Sequence, residues 1–551
     1  MKLISVLMRK SWRTMLVAAI IGGVSGVSNV ALLAIIHRTL RNPGASPAYL
    51  LWLFVGFCVV VLVTRAWSQL LLTRLGQDSI SELRLGLCRR ILESPLRHLE
   101  DIGSHRMLAS LTTDVVVITQ AMSGIPTVCV NAIILIFGAA YLGTLSVSVL
   151  AAAVAFCGAG IGSYKFFSRW ARSYILVSRE AQDTLMKHLR NMIHGIKELK
   201  MHHDRRQEFV GDVLLPTESM VRENQYIGSC LQDFAMSWGR LLFLVAIGLL
   251  LFVWPRIQPL DGATLTGYTL AIFYLMSPLE RILAWLPLLS RAEISVRKIE
   301  RLGLMLDQEA VENLQLQATP VWSRIDLAGV THEYHREGQD HGFQLGPINL
   351  SLHRNEITFL VGGNGSGKTT LAKLMAGLYF PAGGEIRLDG VPVNEANRET
   401  YRQLIAAVFD DAVVFDGLWG LRGPDLDDRA QRLLHELKLN HVVRISDRTF
   451  STTDLSRGQR KRLALLTAYL EDRDVYLFDE WAADQDPVFK QVFYQQLLPD
   501  LKRRGKTVIA ITHDDRYFTM ADRVIKLEEG HVLTDSPPQD RQALAMEPLQ
   551  D

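Results

Sequence analysis

Over the first 300 or so residues, apolar positions come in long unbroken runs; beyond them they come in short runs separated by polar helical stretches. A helix crossing the hydrocarbon core of a bilayer needs about 20 apolar residues. Met15–Ile36 meets that without a charge, and Ala48–Leu72 does so with Arg65 near its end. Ile125–Tyr164 carries no charge over about twice one span, which predicts two helices joined by a tight turn. Phe234–Trp254 and Gly262–Leu289 follow, giving six membrane-spanning helices. The fifth is the least regular, because its apolar segment after Arg240 is short. Lys2, Arg9, Lys10 and Arg13 precede the first run, as they would in a signal peptide. That run exceeds the roughly 7–15 apolar residues of a signal peptide, and no small-residue cleavage site follows, so a retained helix is expected.

The polar connections are uneven. Thr73–Gly124 and Arg169–Asp233 are long and helical in character, whereas the loops near Pro43, Gly143 and Pro259 are short. Arg74, Arg84, Arg89, Arg90, Arg97 and Arg106 populate the first long connection, and Arg169, Arg172, Lys187, Arg190 and Lys197 the second. Positive charge favours the cytoplasmic side, so both should face the cytoplasm. From Arg291 to about Leu316 a charged helical stretch, with Pro320 just beyond, leads into a different pattern. Short apolar strands at Ile357–Val361, Leu404–Phe409, Val475–Phe478 and Val508–Ile511 alternate with helices. This predicts a mostly parallel sheet covered by helices. The expected organisation is a six-span transmembrane bundle over 1–300, a linker over 301–321 and an α/β domain over 322–551.

Composition removes some classes. The net charge of +2 shows no basic excess, so nucleic acid is not an expected partner. Cys58, Cys88, Cys129, Cys157 and Cys230 show no CxxC spacing, which implies neither a disulfide framework nor a zinc site.

The first strand of the α/β domain runs into Gly362, Gly363, Asn364, Gly365, Ser366, Gly367, Lys368 and Thr369, a GxxxxGK[ST] phosphate loop. Its glycines let successive N–H groups turn onto phosphate oxygens, and a helix beginning near Thr370 aims its positive end at the same place. Lys368 should reach the β- and γ-phosphates of ATP, and the Thr369 hydroxyl should ligate Mg2+. The strand Val475–Phe478 ends in Asp479, suited to the metal, and Glu480, suited to polarising an attacking water. Leu455-Ser456-Arg457-Gly458-Gln459 precedes a basic helix and by itself reads as a serine helix cap.

In this order the motifs resemble those of ABC-type ATPases. The resemblance implies that Ser456, Gly458 and Gln459 bind the γ-phosphate of nucleotide held by a second protomer, and that His513 contacts that phosphate in its own site. It implies that Tyr334 stacks on adenine and that Asp486 belongs to a dimer-interface loop. Most members carry a glutamine where this chain has Asp410; a carboxylate is a better magnesium ligand, so Asp410 is expected to contribute to the metal.

A six-span bundle fused to one such domain resembles the exporter half-transporters. Pro95–Thr113 falls at their first intracellular coupling region and Leu214–Glu218 near the second. Ala407–Leu418, Ser456–Phe489 with its DEWAADQDP, and Ile511–Phe518 are similar to the cyclic-peptide and peptide-siderophore (pyoverdine-type) exporters. That likeness implies a multi-pass protein of the bacterial inner membrane, surrounded by lipid, with its ATPase domain in the cytoplasm. It implies a homodimer that exports a peptide or peptide-siderophore precursor; a lipid or multidrug flippase is the alternative. Lys368, Ser456, Glu480 and His513 together argue against a sensor that binds ATP without turnover, and fusion of the two parts argues against import. Arg65, Arg240, Glu280 and Arg281 lie in or beside spans, where an unpaired charge is costly, so they are expected to line a cargo path, to sit at the cytoplasmic interface or to pair with each other.

Overall fold

The computed structural model describes residues 2–41, 48–301, 321–333 and 343–537. Tyr334, the loop near Pro43 and nearly all of the stretch read as a linker therefore lie outside the described residues. The chain divides into two compact units, one made of Met1–Glu93 with Ile102–Leu306, the other of Ser94–Asp101 with Asp307–Asp551.

Among the described residues of the first unit, six helices are long and apolar enough to cross a membrane. The principal segments are α1 (Lys2–Arg41), α2 (Ala48–Glu93), α4 (Val115–Leu145), α5 (Val147–His194), α6 (Leu215–Gly248) and α7 (Gly262–Arg301); the short helix α3 (Leu96–Ile102) falls mostly in the second unit. The charge-free run breaks at Ser146, the one extended residue between α4 and α5. Backbone polar groups cannot be left unpaired in hydrocarbon, so helices are the natural solution, and small residues let them approach. Gly26 of α1 faces Ile134 of α4, where a Cβ would sit 2.8 Å from it, and Gly124 of α4 lies under the Trp285 indole of α7. That indole donates to the Ala121 carbonyl at 3.1 Å, and Ser68 of α2 donates to the Ala18 carbonyl at 3.0 Å. α5 and α6 pair separately: Gly228 meets Ile175, Trp238 donates to Ser163 Oγ at 3.1 Å, and Phe167 packs edge-on against Phe234.

Between α5 and α6 the helical course breaks at Gly195 and His202, flanking the short helix Ile196–Met201. Leu214–Glu218, read as lying near the second coupling region, falls at the start of α6. There Pro216 follows the π-helical turn Phe209–Leu214 within a continuous helical course over His203–Ile257. A proline inside a helix lacks the N–H for one ladder bond, and a π-helical turn is a local adjustment of that ladder.

The second unit holds two sheets. β1 (Arg324–Glu333), β2 (Gln344–His353), β4 (Gly383–Leu388) and β5 (Val391–Pro392) form an antiparallel sheet in the order β2-β1-β4-β5. β3 (Ile357–Gly362), β6 (Ile405–Val408), β9 (Val475–Asp479), β10 (Thr507–Ile511), β11 (Arg523–Glu528) and β12 (His531–Ser536) form the other, in the order β12-β11-β3-β10-β9-β6. A small ribbon, β7 (Ile445–Ser446) with β8 (Thr449–Phe450), completes the set. The larger sheet is parallel except at β12. β9 and β10 are buried along their whole length, as continuous apolar strands covered on both faces must be. Register aligns Asp479 with Ile511 and Ile511 with Leu360, so the carboxyl ends of the central strands form one edge. In open α/β sheets ligands bind along that edge.

Candidate functional site

The loop Gly362–Gly367 leaves β3 and enters α8 (Lys368–Met375). Two glycines are fixed by geometry. Gly362 has φ +148° and a Cβ there would strike the Leu527 carbonyl; Gly367 has φ +98° and a Cβ would lie 2.7 Å from Leu345 Cδ1. Gly363, Asn364 and Gly365 form the exposed crest of the loop, beside the partly buried Gly362. Lys368, 5 % exposed, donates from Nζ to the carbonyls of Gly362 at 3.0 Å and Gly363 at 2.8 Å. Burial pulls its pKa down, against the opposing pull of Glu480 and Asp479. The Ser366 hydroxyl oxygen is buried with no hydrogen-bond partner among the described residues. Thr370 is buried in the first turn of α8. A buried ammonium, an orphaned hydroxyl and a helix N-terminus on one loop suit a polyphosphate.

Across the sheet edge, Thr369 Oγ1 donates to Asp479 Oδ1 at 3.3 Å. Asp479 is 1 % exposed, and its pKa is pushed up to about 6 by burial. The Thr369 bond and Lys461 oppose that rise, while Glu480 and Asp410 add to it. Glu480 follows with φ +48°, and its Oε1 lies 3.1 Å from His513 Nε2. The fold thus brings together Lys368, Thr369, Asp479, Glu480 and His513 from three adjacent strand ends. No group of three or more His, Cys, Asp or Glu placed to hold a metal ion occurs among the described residues. Thr369 and Asp479 therefore suit a small hard cation whose remaining ligands are phosphate and water oxygens.

Ser456, Gly458 and Gln459 lie elsewhere in the unit, at the start of α9 (Arg457–Glu471). Ser456 caps the helix reciprocally: its Oγ accepts from Gln459 N at 3.3 Å, and its own N–H donates to Gln459 Oε1 at 3.1 Å. Gly458 is required by close approach, since a Cβ would sit 2.8 Å from the Asp484 carbonyl oxygen. Asp486 caps α10 (Pro487–Val492) by accepting from Phe489 N at 2.9 Å, which, helped by Arg462 at 2.7 Å, holds its pKa below the usual carboxylate range.

Asp410 has a different environment from the one expected. Its Oδ1 accepts from Lys461 Nζ at 2.6 Å and its Oδ2 from Arg457 Nη2 at 2.8 Å, so both oxygens are engaged by α9. Burial works to raise its pKa, but Lys461 and Arg457 outweigh that and hold it below the ordinary range. Sequence reasoning had passed over Lys461 and Asp484. The available signal was helical spacing: Arg457 and Lys461 are one turn apart on a helix whose following positions Leu463, Leu465 and Leu466 are fully buried.

In the first unit, a cavity of about 700 Å³ opens between α4, α5, α6 and α7. Its walls are mostly apolar, with Tyr164, Arg240, Glu280 and Arg281 among them. Arg240 Nε donates to Glu280 Oε1 at 3.2 Å; Arg65 is exposed on α2 and does not line the cavity.

A phosphate-cradling loop beside a strand-end carboxylate pair defines a P-loop ATPase, and its fusion to six membrane-length helices defines an ATP-driven membrane transporter. Residues 345–483 match the family model of the ABC transporter, and residues 12–208 that of the ABC transporter transmembrane region. The ATP-binding protein SyrD of Pseudomonas syringae pv. syringae is 37% identical over 528 residues, 93% of each chain. The ATP-dependent lipid A-core flippase of Dechloromonas aromatica (strain RCB) is 25% identical over 562 residues, 95% of this chain and 92% of its own. The solved structure of a bacterial Atm1-family ABC exporter with ATP bound shares the fold, with a TM-score of 0.76 at 15% identity over 97% of this chain and 96% of that one. The chain belongs to the ABC transporter family, as an exporter half-transporter. It hydrolyses ATP in coupling to transport, and it is a multi-pass inner-membrane protein with a cytoplasmic ATPase domain.

Proposed function

We propose that two copies of this chain form an exporter for a peptide or peptide-siderophore precursor. The carrying observation is the cavity between α4, α5, α6 and α7, which sets a guanidinium–carboxylate pair and a second arginine in apolar walls. Charges of both signs at membrane depth are costly unless they serve a polar occupant or each other. A peptide with charged and lipophilic groups offers partners to both kinds of surface, whereas acyl chains leave the pair unused. The DEWAADQDP stretch and whole-length similarity to SyrD support the same branch.

In the ATPase domain, Gly362–Thr370 hold the phosphates, with Lys368 turning from its loop carbonyls to the β- and γ-oxygens. Thr369 and Asp479 would hold Mg2+, which supplies charge neutralisation at the transferring phosphoryl group. Glu480 polarises the attacking water and His513 orients Glu480 and the γ-phosphate. Ser456, Gly458 and Gln459 serve nucleotide on the partner, with Asp486 at the interface, so one chain holds half of each site.

Reconstituted in proteoliposomes, the protein should show ATP turnover stimulated by a cyclic lipopeptide or acylated siderophore precursor. Arg240→Gln and Glu280→Gln should remove the stimulation and leave basal turnover within about twofold. Stimulation by lipid A-type lipid alone, unaffected by those changes, would instead make the protein a flippase.

A further inference from the structure

Lys461 is 2 % exposed. A buried ammonium is expensive unless acceptors surround it. Its Nζ donates to Asp410 Oδ1 at 2.6 Å and to the Glu480 carbonyl at 2.9 Å, and it lies 2.7 Å from Asp484 Oδ2. Arg457, one turn earlier, reaches Asp410 Oδ2 at 2.8 Å and Asp484 Oδ2 at 3.0 Å. Two cations and two carboxylates thus close a ring around three segments: the loop after β6, the start of α9, and the turn after β9.

The ring grips Glu480 by its backbone. With φ +48°, Glu480 is left-handed, a conformation that costs a non-glycine residue about 1–2 kcal/mol. Its N–H donates to the Ile511 carbonyl at 3.3 Å, and its carbonyl accepts from Lys461. The next residue, Trp481, is buried and returns the contact, donating from Nε1 to the Lys461 carbonyl at 2.8 Å. Both peptide groups of Glu480 are therefore pinned, and its carboxylate projects from a fixed Cα towards His513.

We propose that Lys461 is a positioning residue for ATP hydrolysis and that Asp410 acts through it, the pair fixing Glu480 and tying its geometry to the signature helix α9 of the same chain. Asp410 then serves the reaction through Lys461, not as a magnesium ligand. The inference rests on the reading of Glu480 as the hydrolytic carboxylate. A displacement of Ser456 with α9 reaches Glu480 directly through Lys461 and by way of its neighbour Trp481.

The test uses the full-length protein in lipid, with Lys461→Met, Asp410→Asn, the double variant, and Glu480→Gln as control. Lys461→Met should lower kcat at least about tenfold while KM for ATP changes less than about threefold, because the phosphate loop is untouched. Asp410→Asn, which keeps the side-chain shape and serves even where Lys461→Met does not fold, should lower kcat by about three- to tenfold. The double variant should be no slower than Lys461→Met, as expected of residues acting as one unit. The proposal is overturned if kcat is unchanged in both single variants, if KM rises as much as kcat falls, or if excess Mg2+ restores Asp410→Asn. A Glu480→Gln protein hydrolysing at the parental rate would sink the underlying site reading instead, whatever the Lys461 variants do.

Discussion

Asp479 ends a fully buried strand, so its charge is held at a cost that the nucleotide-bound metal would relieve. Its pKa of about 6 lies above the ordinary 3.8, chiefly through burial. The folded chain therefore binds this proton more tightly than the unfolded chain does. Ionisation destabilises the fold fully above pH 6, and the penalty fades as pH falls through 6 towards 3.8; its size is on the order of 3 kcal/mol. In buffer without nucleotide or metal, Asp479→Asn should raise the thermal midpoint clearly at pH 7.5 and about half as much at pH 5. Equal gains at both pH values would show that ionisation is not the source. Residues of the phosphate loop were legible because they are contiguous and their backbone chemistry is local. The partners of Asp410 were not, since Arg457 and Lys461 follow it by 47 and 51 positions and only the β6–β9 pairing and the packing of α9 bring them near.

At the level of elements, the six spans could be read because a bilayer dictates their length, whatever they pack against. Their contacts could not, because a glycine in an apolar helix looks alike at an interface or facing lipid. Gly124 and Gly56 make the contrast testable. A Cβ on Gly124 meets the Trp285 indole, whereas one on Gly56 meets nothing within 4 Å. Both alanine variants gain about 1 kcal/mol of helix propensity. Gly124→Ala should nevertheless lower the thermal midpoint in detergent, and Gly56→Ala should hold or raise it; matching shifts would refute the α4–α7 packing.

For the whole molecule, the proposed sharing of each nucleotide between the loop of one chain and the α9 cap of another makes a prediction about mixtures. Lys368→Ala and Ser456→Arg chains should each be inactive alone. Co-assembled, they leave one site with both defects and one with neither. ATP turnover should therefore return in the mixed dimer, purified by two different tags. A mixed dimer as inactive as its parents would exclude sites completed by the partner's signature helix. The fold class and the membrane–ATPase division were legible from the lengths of the apolar runs and from the phosphate-loop motif, because the two halves answer to different solvents. The assignment of Ser94–Asp101 to the second unit was not, since Pro95–Thr113 was marked only by its resemblance to a coupling region and its bounds differ from that segment.

That assignment bears on how the chain can be taken apart and recombined. In α3, Glu100 accepts from Lys373 of α8 at 2.8 Å and from the Tyr379 hydroxyl, Arg97 donates to the Glu333 carbonyl at 2.7 Å, and Leu96 packs on the apolar core beneath β1 and β2. The ATPase domain is therefore not a contiguous cassette. A fragment begun at residue 307 lacks eight residues of its own unit and bares the surface that Leu96 covers. A chimera that exchanges ATPase domains between relatives must carry 94–101 along with the C-terminal half. The natural joint for such grafts runs through three crossings of the chain instead of one.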